Sequence, residues 1–391
     1  MDNKNFEVLS KIDHQKTVST LSEMVKISSE SPPGNEECIC SFIKEKCESM
    51  GLKTQIVTFK EKRPSLVATF SKGKKGQVKL LNGHTDTVTI GDRASWTEDP
   101  YGASIKGGRM YGRGTCDMKG GLASMLVALE TIVNAGLEPN SNWIFTAVAD
   151  EEDLGRGTMA LISSGVINAA SFAIIGEPTN LEVVTSHRGC LWLEVTAHGK
   201  AMHGSTPMPG TNSIIAVSNL VKQLGELYPV ARIPYTVNDT SLNVGTISGG
   251  TKINIVPEIC SIGLDFRFGP HYYPGLIISS LEKVLRKMEE DNPLIKFTLK
   301  IVQRRKAVDT PVDHCLVQKS LDILSNTLNK RATPIGIPYT TDGSMLAENL
   351  GIPLIIFGPG KTALAHMADE YIELSDLENA TKVFASLIMN L

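Results

Sequence analysis

Four short runs of the chain are apolar at nearly every position: Val78 to Asn82 (VKLLN), Trp143 to Ala149 (WIFTAVA), Phe172 to Ile175 (FAII) and Pro353 to Phe357 (PLIIF). Each is bounded by glycine, proline or polar residues. Strands buried on both faces read this way, because helices cover both sides of a parallel sheet. Segments with apolar residues at helical spacing surround them. His14 to Met24 and Glu36 to Met50 predict amphipathic helices, the second stopped by Gly51 where a helix C-cap belongs. Lys119 to Asn134 and Arg156 to Ser164 predict two more, and Lys53 to Phe59 and Ser65 to Phe70 read as strands. Strands alternating with helices predict an α/β fold with a mostly parallel sheet.

The middle of the chain changes character. From His187 to Arg304 the pattern reads strand (Cys190 to Ala197), helix (Asn212 to Leu227), strand (Ser241 to Ser248), strand (Cys260 to Phe268), helix (Tyr273 to Asp291) and strand (Lys296 to Val302). The order β-α-β-β-α-β is the ferredoxin-like arrangement. We therefore expect an inserted α+β domain at 187–304, with residues 1–186 and 305–391 forming one discontinuous α/β domain around it.

Ligands of open α/β sheets bind beyond the carboxyl ends of the strands. Three apolar runs end there in residues that bind metals: His84-Thr-Asp86, Glu151-Glu152 and Glu177. The loop Gly112 to Asp117 delivers another carboxylate just before a predicted helix, and the loop after Phe357 brings in His366. His84, Asp117, Glu152, Glu177 and His366 could thus meet at one edge of the sheet. Two neighbouring cations repel, and a carboxylate between them offsets the repulsion; Asp117 suits that place. An imidazole and a further carboxylate for each ion leave an open position for water, as catalytic sites require. A nitrogen and oxygen set without thiolate favours zinc, with manganese or cobalt as alternatives. Asp86 stands two residues after His84, on the same side of an extended backbone. It can hydrogen-bond the imidazole and fix its tautomer. Glu151 precedes Glu152 and points elsewhere, as a general base beside the attacking water would. On composition alone Asp150 and Asp153 compete for these roles.

Length and charge narrow the classes. A chain of 391 residues suits two domains, and its hydrophobic and charged fractions of 41% and 21% are those of an ordinary globular protein. With a net charge of −3 and no basic stripe, nucleic acid is not an expected partner. The inserted strands also lack the aromatic signature of an RNA-binding sheet. The first residues have no apolar core of a signal peptide, and no apolar run reaches the roughly 18 residues of a membrane helix. The seven cysteines are scattered and form no CxxC pair, which fits reduced thiols in a cytoplasmic protein.

The stretches LLNGHTDTV, YGRGTCDMKGG, TAVADEE, IIGEPT, HGKAMHGSTP, INIVPE, LDFRF and AHMADEYI resemble, in order and over nearly the whole chain, those of the acetylornithine deacetylase, succinyl-diaminopimelate desuccinylase, aminoacylase and carboxypeptidase G family of dinuclear zinc amidohydrolases. The resemblance implies a zinc-peptidase-like catalytic domain with a dimerisation or lid domain inserted in it. It implies that His84, Asp117 and Glu177 hold one metal and Asp117, Glu152 and His366 the other. Asp86 would orient, and Glu151 would serve as general base to a water held between the metals. The peptide after Asp117 would be cis. It also implies a homodimer through the insert, with His203 reaching the partner subunit's site to stabilise an oxyanion. Arg188, Asn254, Arg267 and the backbone at Gly343 would hold the substrate, a small N-acylated amino acid. A dipeptidase or carboxypeptidase of the same superfamily is the alternative.

Overall fold

The apolar runs are strands, and they lie side by side because only neighbours on both edges satisfy a backbone that has no water to bond. The computed structural model describes residues 3–71, 77–228 and 237–391. It divides into two compact units, one of Met1–Thr185, Thr310–Ile335 and Thr341–Leu391, the other of Ser186–Asp309 and Gly336–Thr340. Nothing in the sequence pattern marks Gly336–Thr340 for the second unit.

In the first unit Lys53–Thr58, Pro64–Phe70, Asn142–Val148, Val78–His84, Ala170–Ile175 and Leu354–Ile356 follow one another across one sheet. Val78–His84 runs parallel to Asn142–Val148 on one side and to Ala170–Ile175 on the other, and Leu354–Ile356 continues the parallel set. The two outer strands pair antiparallel. Register places His84 opposite Val148 and Asn82 opposite Ile175. The carboxyl ends that precede Glu151, Glu152 and Glu177 therefore emerge at the same edge as His84. The helix Gly120–Asn134 is buried along nearly its whole length, as a helix apolar all round must be. It packs on the helix Leu374–Asn390. Phe357 meets Phe384 edge-on at 5.2 Å, and Trp143 meets Phe172 at 6.0 Å.

The buried helix starts within one residue of the expected Lys119, and the peptide after Asp117 is cis as the resemblance implied. Residues Thr115–Lys119 form a distorted turn with non-helical Asp117 and Met118, joined by a cis peptide. Regular helix begins at Gly120, and two glycines there have a steric reason. A Cβ on Gly121 would lie 1.9 Å from the carbonyl oxygen of Gly176, and one on Gly358 would lie 2.5 Å from that of Glu177. The strand end carrying Glu177 is thus approached closely from two sides.

The second unit holds an antiparallel sheet in the order Ser241–Gly249, Ile259–Phe268, Gly189–His198, Lys296–Arg305, with the helices Ser213–Leu227 and Gly275–Asp291. This is the ferredoxin-like order. Alternation drives it: Leu191, Leu193, Val195, Ile262, Leu264 and Phe266 point to the helices and are buried, while their neighbours face away. Asn212 caps the first helix by accepting the N–H groups of Ile214 and Ile215 at 3.0 and 3.2 Å. Among the described residues no helix is long and apolar enough to cross a membrane.

Two glycine substitutions should move stability in opposite directions. In Gly121→Ala the new methyl meets a backbone oxygen that cannot swing aside, so the urea midpoint should fall by the equivalent of about 1–3 kcal/mol or more. In Gly225→Ala nothing lies within 4 Å of the added carbon, and the helix should gain about 0.4–1 kcal/mol. Equal midpoints for Gly121→Ala and the parent would contradict the close approach.

Candidate metal centre

His84 ends its strand, and its ring is pinned by the chain just beyond. Nδ1 lies 2.9 Å from the backbone carbonyl of Asp86. A carbonyl only accepts, so Nδ1 carries the proton and Nε2 turns its lone pair outward. The Asp86 carboxylate was expected to do this work, but it stays 3.7 Å from Nδ1. It accepts instead the backbone N–H groups of Glu151 and Glu152, both at 3.1 Å. The physical reason is local: the chain turns after His84 so that the carbonyl, not the carboxylate, comes under the ring. Asp86 thereby orients the ring through its backbone and the neighbouring strand end through its side chain.

Nε2 of His84 faces Asp117 Oδ1 at 3.1 Å and Glu177 Oε1 at 3.6 Å. Nε2 of His366 faces Asp117 Oδ2 at 3.3 Å and Glu152 Oε2 at 3.0 Å. One carboxylate, Asp117, therefore offers each of its oxygens to a separate imidazole and carboxylate pair. Glu151 joins the first group: its oxygen, one from Glu177 and a nitrogen of His84 lie within 4.8 Å of one another. His84, Asp117 and Glu152 form a second such group.

These groups hold one another only through protons or through a cation. Nε2 of His84 and Oδ1 of Asp117 lie 3.1 Å apart, a gap that a proton on Nε2 fills in the metal-free fold and that a cation fills when it displaces that proton. Burial drives Glu152 up to about 7, with the Asp117 charge adding to it. Burial also raises Glu177 well above the usual carboxylate range and raises Asp86. His84 is held down by burial, yet Glu177 and Asp117 outweigh that and lift it well above an ordinary histidine. Hydrogen bonds to Asp117 and Glu152 push His366 up to about 10. Burial would raise Asp117 as well, but its bonds to His366 and His84 hold it below the carboxylate range. Carboxylates outnumber imidazoles in the two groups. Divalent cations fit that excess, and the oxygen and nitrogen donors fit zinc, cobalt or manganese.

The frame is held by Asp150, which competed for the base and orienting roles on composition, and by Arg63, Arg156 and Glu370, which the sequence did not single out. Asp150 adopts φ 72, just before the two glutamates. Arg156 Nε meets Asp150 at 2.6 Å and Arg63 Nη2 meets it at 2.9 Å. Arg63 also binds the buried Glu36 at 2.6 Å. Asp150 is thus committed to arginines, and Asp153 meets Arg156 at 2.8 Å; neither faces the imidazoles. Glu370 accepts the backbone N–H of Asp117 at 3.0 Å. Its signal in the sequence was a place four residues after His366, within the stretch AHMADEYI. Gly343 starts the helix Gly343–Leu350, and its N–H bonds Thr341 Oγ1 at 3.1 Å.

The other four expected residues lie in the second unit. Arg267 is gripped by Asp265, its Nε and Nη2 donating at 2.8 and 3.0 Å, while Nη1 reaches Thr340 at 3.1 Å. Arg188 donates to Ser241 at 2.6 Å and to the carbonyl of Arg267 at 3.0 Å. His203 and Asn254 are exposed and close together in the chain's path, since Met202–His203 pairs with Ile255–Val256 and the Asn254 carbonyl accepts from Gly204 at 2.8 Å. Nδ1 of His203 is 2.7 Å from Ser205 Oγ.

Comparison with known proteins agrees with this chemistry. Residues 80–390 match the sequence model of peptidase family M20/M25/M40. A probable succinyl-diaminopimelate desuccinylase of Staphylococcus aureus (strain N315) is 27% identical over 93% of this chain and 95% of its own length. An acetylornithine deacetylase of Proteus mirabilis (strain HI4320) is 30% identical over 91% and 90%. Among solved structures, the dipeptidase Dug1p of Saccharomyces cerevisiae superposes with a TM-score of 0.80 at 14% identity, covering 100% of this chain and 98% of that one.

Proton competition gives a test of the centre. Glu152, Glu177, Asp86, His84 and His366 all bind protons more tightly in the metal-free fold than in an unfolded chain. The folded state then holds more protons from about pH 5 to 8, and stability falls as pH rises through that window. Bound cations remove the penalty. The difference in melting temperature between metal-loaded and chelator-stripped protein should widen from about pH 5.5 to about pH 8. A constant or shrinking difference would argue against a cation in this cluster.

Proposed function

The chain belongs to peptidase family M20/M25/M40 and is a hydrolase of that family; on that premise we propose that it cleaves the amide bond of a small N-acylated amino acid, of the acetylornithine or succinyl-diaminopimelate kind. The observation that carries the reading is the shared carboxylate: Asp117 turns Oδ1 to His84 and Oδ2 to His366. The two curated relatives, alike over nine-tenths of the chain, support the substrate class.

In this reading His84, Asp117 and Glu177 hold one divalent ion and Asp117, Glu152 and His366 the other, zinc first, with cobalt or manganese as alternatives. Bound there, the pair of ions supplies Lewis-acid polarisation of the amide carbonyl and an acidified water. The chain's own residues do the rest. Glu151 takes the proton of the attacking water on its carboxylate and later gives it to the nitrogen of the leaving amine. Asp86 keeps the His84 ring turned with Nε2 toward Asp117. His203 is assigned to the oxyanion of the tetrahedral species. Arg188, Asn254, Arg267 and the Gly343 backbone are assigned to the carboxylate or acyl group of the substrate, an arginine fork being suited to a carboxylate. Arg267 would have to share its fork with Asp265. The protein is proposed to work as a cytoplasmic homodimer through the unit that holds His203.

Two experiments test this. Glu151→Gln should bind metal as the parent does and lose about 10²–10⁴-fold in kcat; a loss under about tenfold removes Glu151 from the base role. A panel of N-acetyl and N-succinyl amino acids and of dipeptides, with zinc, cobalt and manganese returned to stripped enzyme, should show higher kcat/KM for the acylated amino acids. Preference for the dipeptides would replace the acyl group with a second amino acid.

A further inference from the structure

Three of the five proposed ligands stand on or just past strand ends: His84, Glu152 and Glu177. Strand pairing fixes His84 and the approach to Glu177, and the Asp86 carboxylate holds Glu152 through its backbone N–H. Asp117 and His366 have no strand behind them. Asp117 lies in the distorted turn Thr115–Lys119, and His366 lies between the turn Thr362–Leu364 and the strand Tyr371–Glu373, at φ 64. Yet a ligand set works only when each donor is held to within a fraction of an ångström.

We propose that Glu370 is a positioning residue that ties these two loop-borne ligands to each other. The inference rests on the reading of Asp117 and His366 as ligands given above. Glu370 is buried, 1% exposed, and four residues after His366. Its Oε1 accepts the N–H groups of Cys116 at 2.8 Å and of Asp117 at 3.0 Å. Its Oε2 accepts the N–H of Gly114 at 3.1 Å and meets Arg113 Nη1 at 2.6 Å. Its backbone carbonyl accepts from Gly112 at 2.9 Å. One residue thus gathers four backbone N–H groups, those of Gly112, Gly114, Cys116 and Asp117, from the loop and turn that present Asp117. The segment holding Glu370 is itself anchored, because Asp369 accepts the N–H groups of Thr97 and Glu98 at 2.8 and 3.1 Å. Charge makes the tie strong, since N–H groups bond an ionised carboxylate about twice as well as a neutral oxygen.

The two ions should not depend on this tie equally. The set with His84 and Glu177 takes only Asp117 from a loop. The set with Glu152 takes both Asp117 and His366 from loops, and Glu370 governs their separation. A role confined to neutralising Arg113 would show no such asymmetry.

Metal titration with a competing chromophoric chelator separates the cases, using full-length protein and zinc. The parent should take up two equivalents. Glu370→Gln keeps the shape but turns an NH2 group toward N–H donors, and one equivalent should lose about 10–100-fold in affinity while the other changes much less. At saturating zinc kcat should recover with KM unchanged. Adding Arg113→Met should not restore the weakened equivalent. Undiminished affinity for both equivalents overturns the proposal. So does a matched loss of both in step with the melting temperature, or rescue by Arg113→Met. If Glu370→Gln cannot be obtained folded, Glu370→Asp, which keeps the charge but shortens the reach, should show the same split, and parent-like affinities there overturn it. A parent that binds fewer than two equivalents overturns the proposed function instead.

Discussion

Carboxylates gathered out of water are the constraint on which the rest of this molecule depends. Asp86, Asp117, Glu151, Glu152 and Glu177 converge with two imidazoles, and most of them are buried. Taking an ion out of water costs several kcal/mol even after relaxation. The upward drift of Glu152 and Glu177 is the sign of that cost left unmet. A fold held together by hydrophobic burial tolerates such a cluster only if something positive offsets it, protons in the metal-free fold or cations in their place, and the 3.1 Å gap between His84 Nε2 and Asp117 Oδ1 is one place where either fits.

The sheet makes the cluster possible. Parallel pairing brings several strand ends to one edge without any strand turning back across it, which an antiparallel hairpin could not do. Register then fixes the depth of each ligand. His84 stands opposite Val148, and Glu151 and Glu152 follow that strand directly, so Asp86 can reach their N–H groups. The tight passage of Gly176 and Glu177 between Gly121 and Gly358 sets the third. Packing and chemistry are therefore coupled at these glycines: a methyl group at Gly121 would act on the ligand shell through a backbone oxygen, without touching a ligand side chain.

Much of this was legible in the sequence, for identifiable reasons. Period and length separated the buried strands from the amphipathic helices, and the β-α-β-β-α-β order of the middle segment led to its sheet. The meeting of His84, Glu152 and Glu177 could be inferred because strand ends in such sheets share an edge, and Asp117 and His366 joined them as loop residues supported by the family resemblance. What could not be read was the conformation of irregular backbone. The turn at Asp117 was readable only as a loop ahead of the helix from Lys119, and its cis peptide only through the family resemblance. The exchange at Asp86, carbonyl to ring and carboxylate to amides, depends on two dihedral angles after His84. The arginine grip on Asp150 joins Arg63, Asp150 and Arg156, which no local pattern connects.

The supporting contacts follow one rule of charge. Cationic side chains close to the cluster would compete with metal ions for its oxygens, so each is occupied elsewhere. Arg63 is spent on Glu36 and Asp150, Arg156 on Asp150 and Asp153, and Arg113 on Glu370. Lys119 is buried, and burial pulls it down to about 7 against the opposing charges of Glu370 and Asp86; its Nζ donates to the carbonyl of Ile27 at 2.8 Å. The groups that position the glutamates and Asp117 are instead backbone N–H donors received by Asp86 and Glu370. A backbone dipole can fix a loop without offering a mobile positive charge, and it cannot swing into the site. The local negative potential is thereby preserved for the only cations small enough to sit between the imidazoles and Asp117. A lysine or arginine in place of either acceptor could not receive those N–H groups, so the loops would lose their anchor and the centre would gain a competing positive charge.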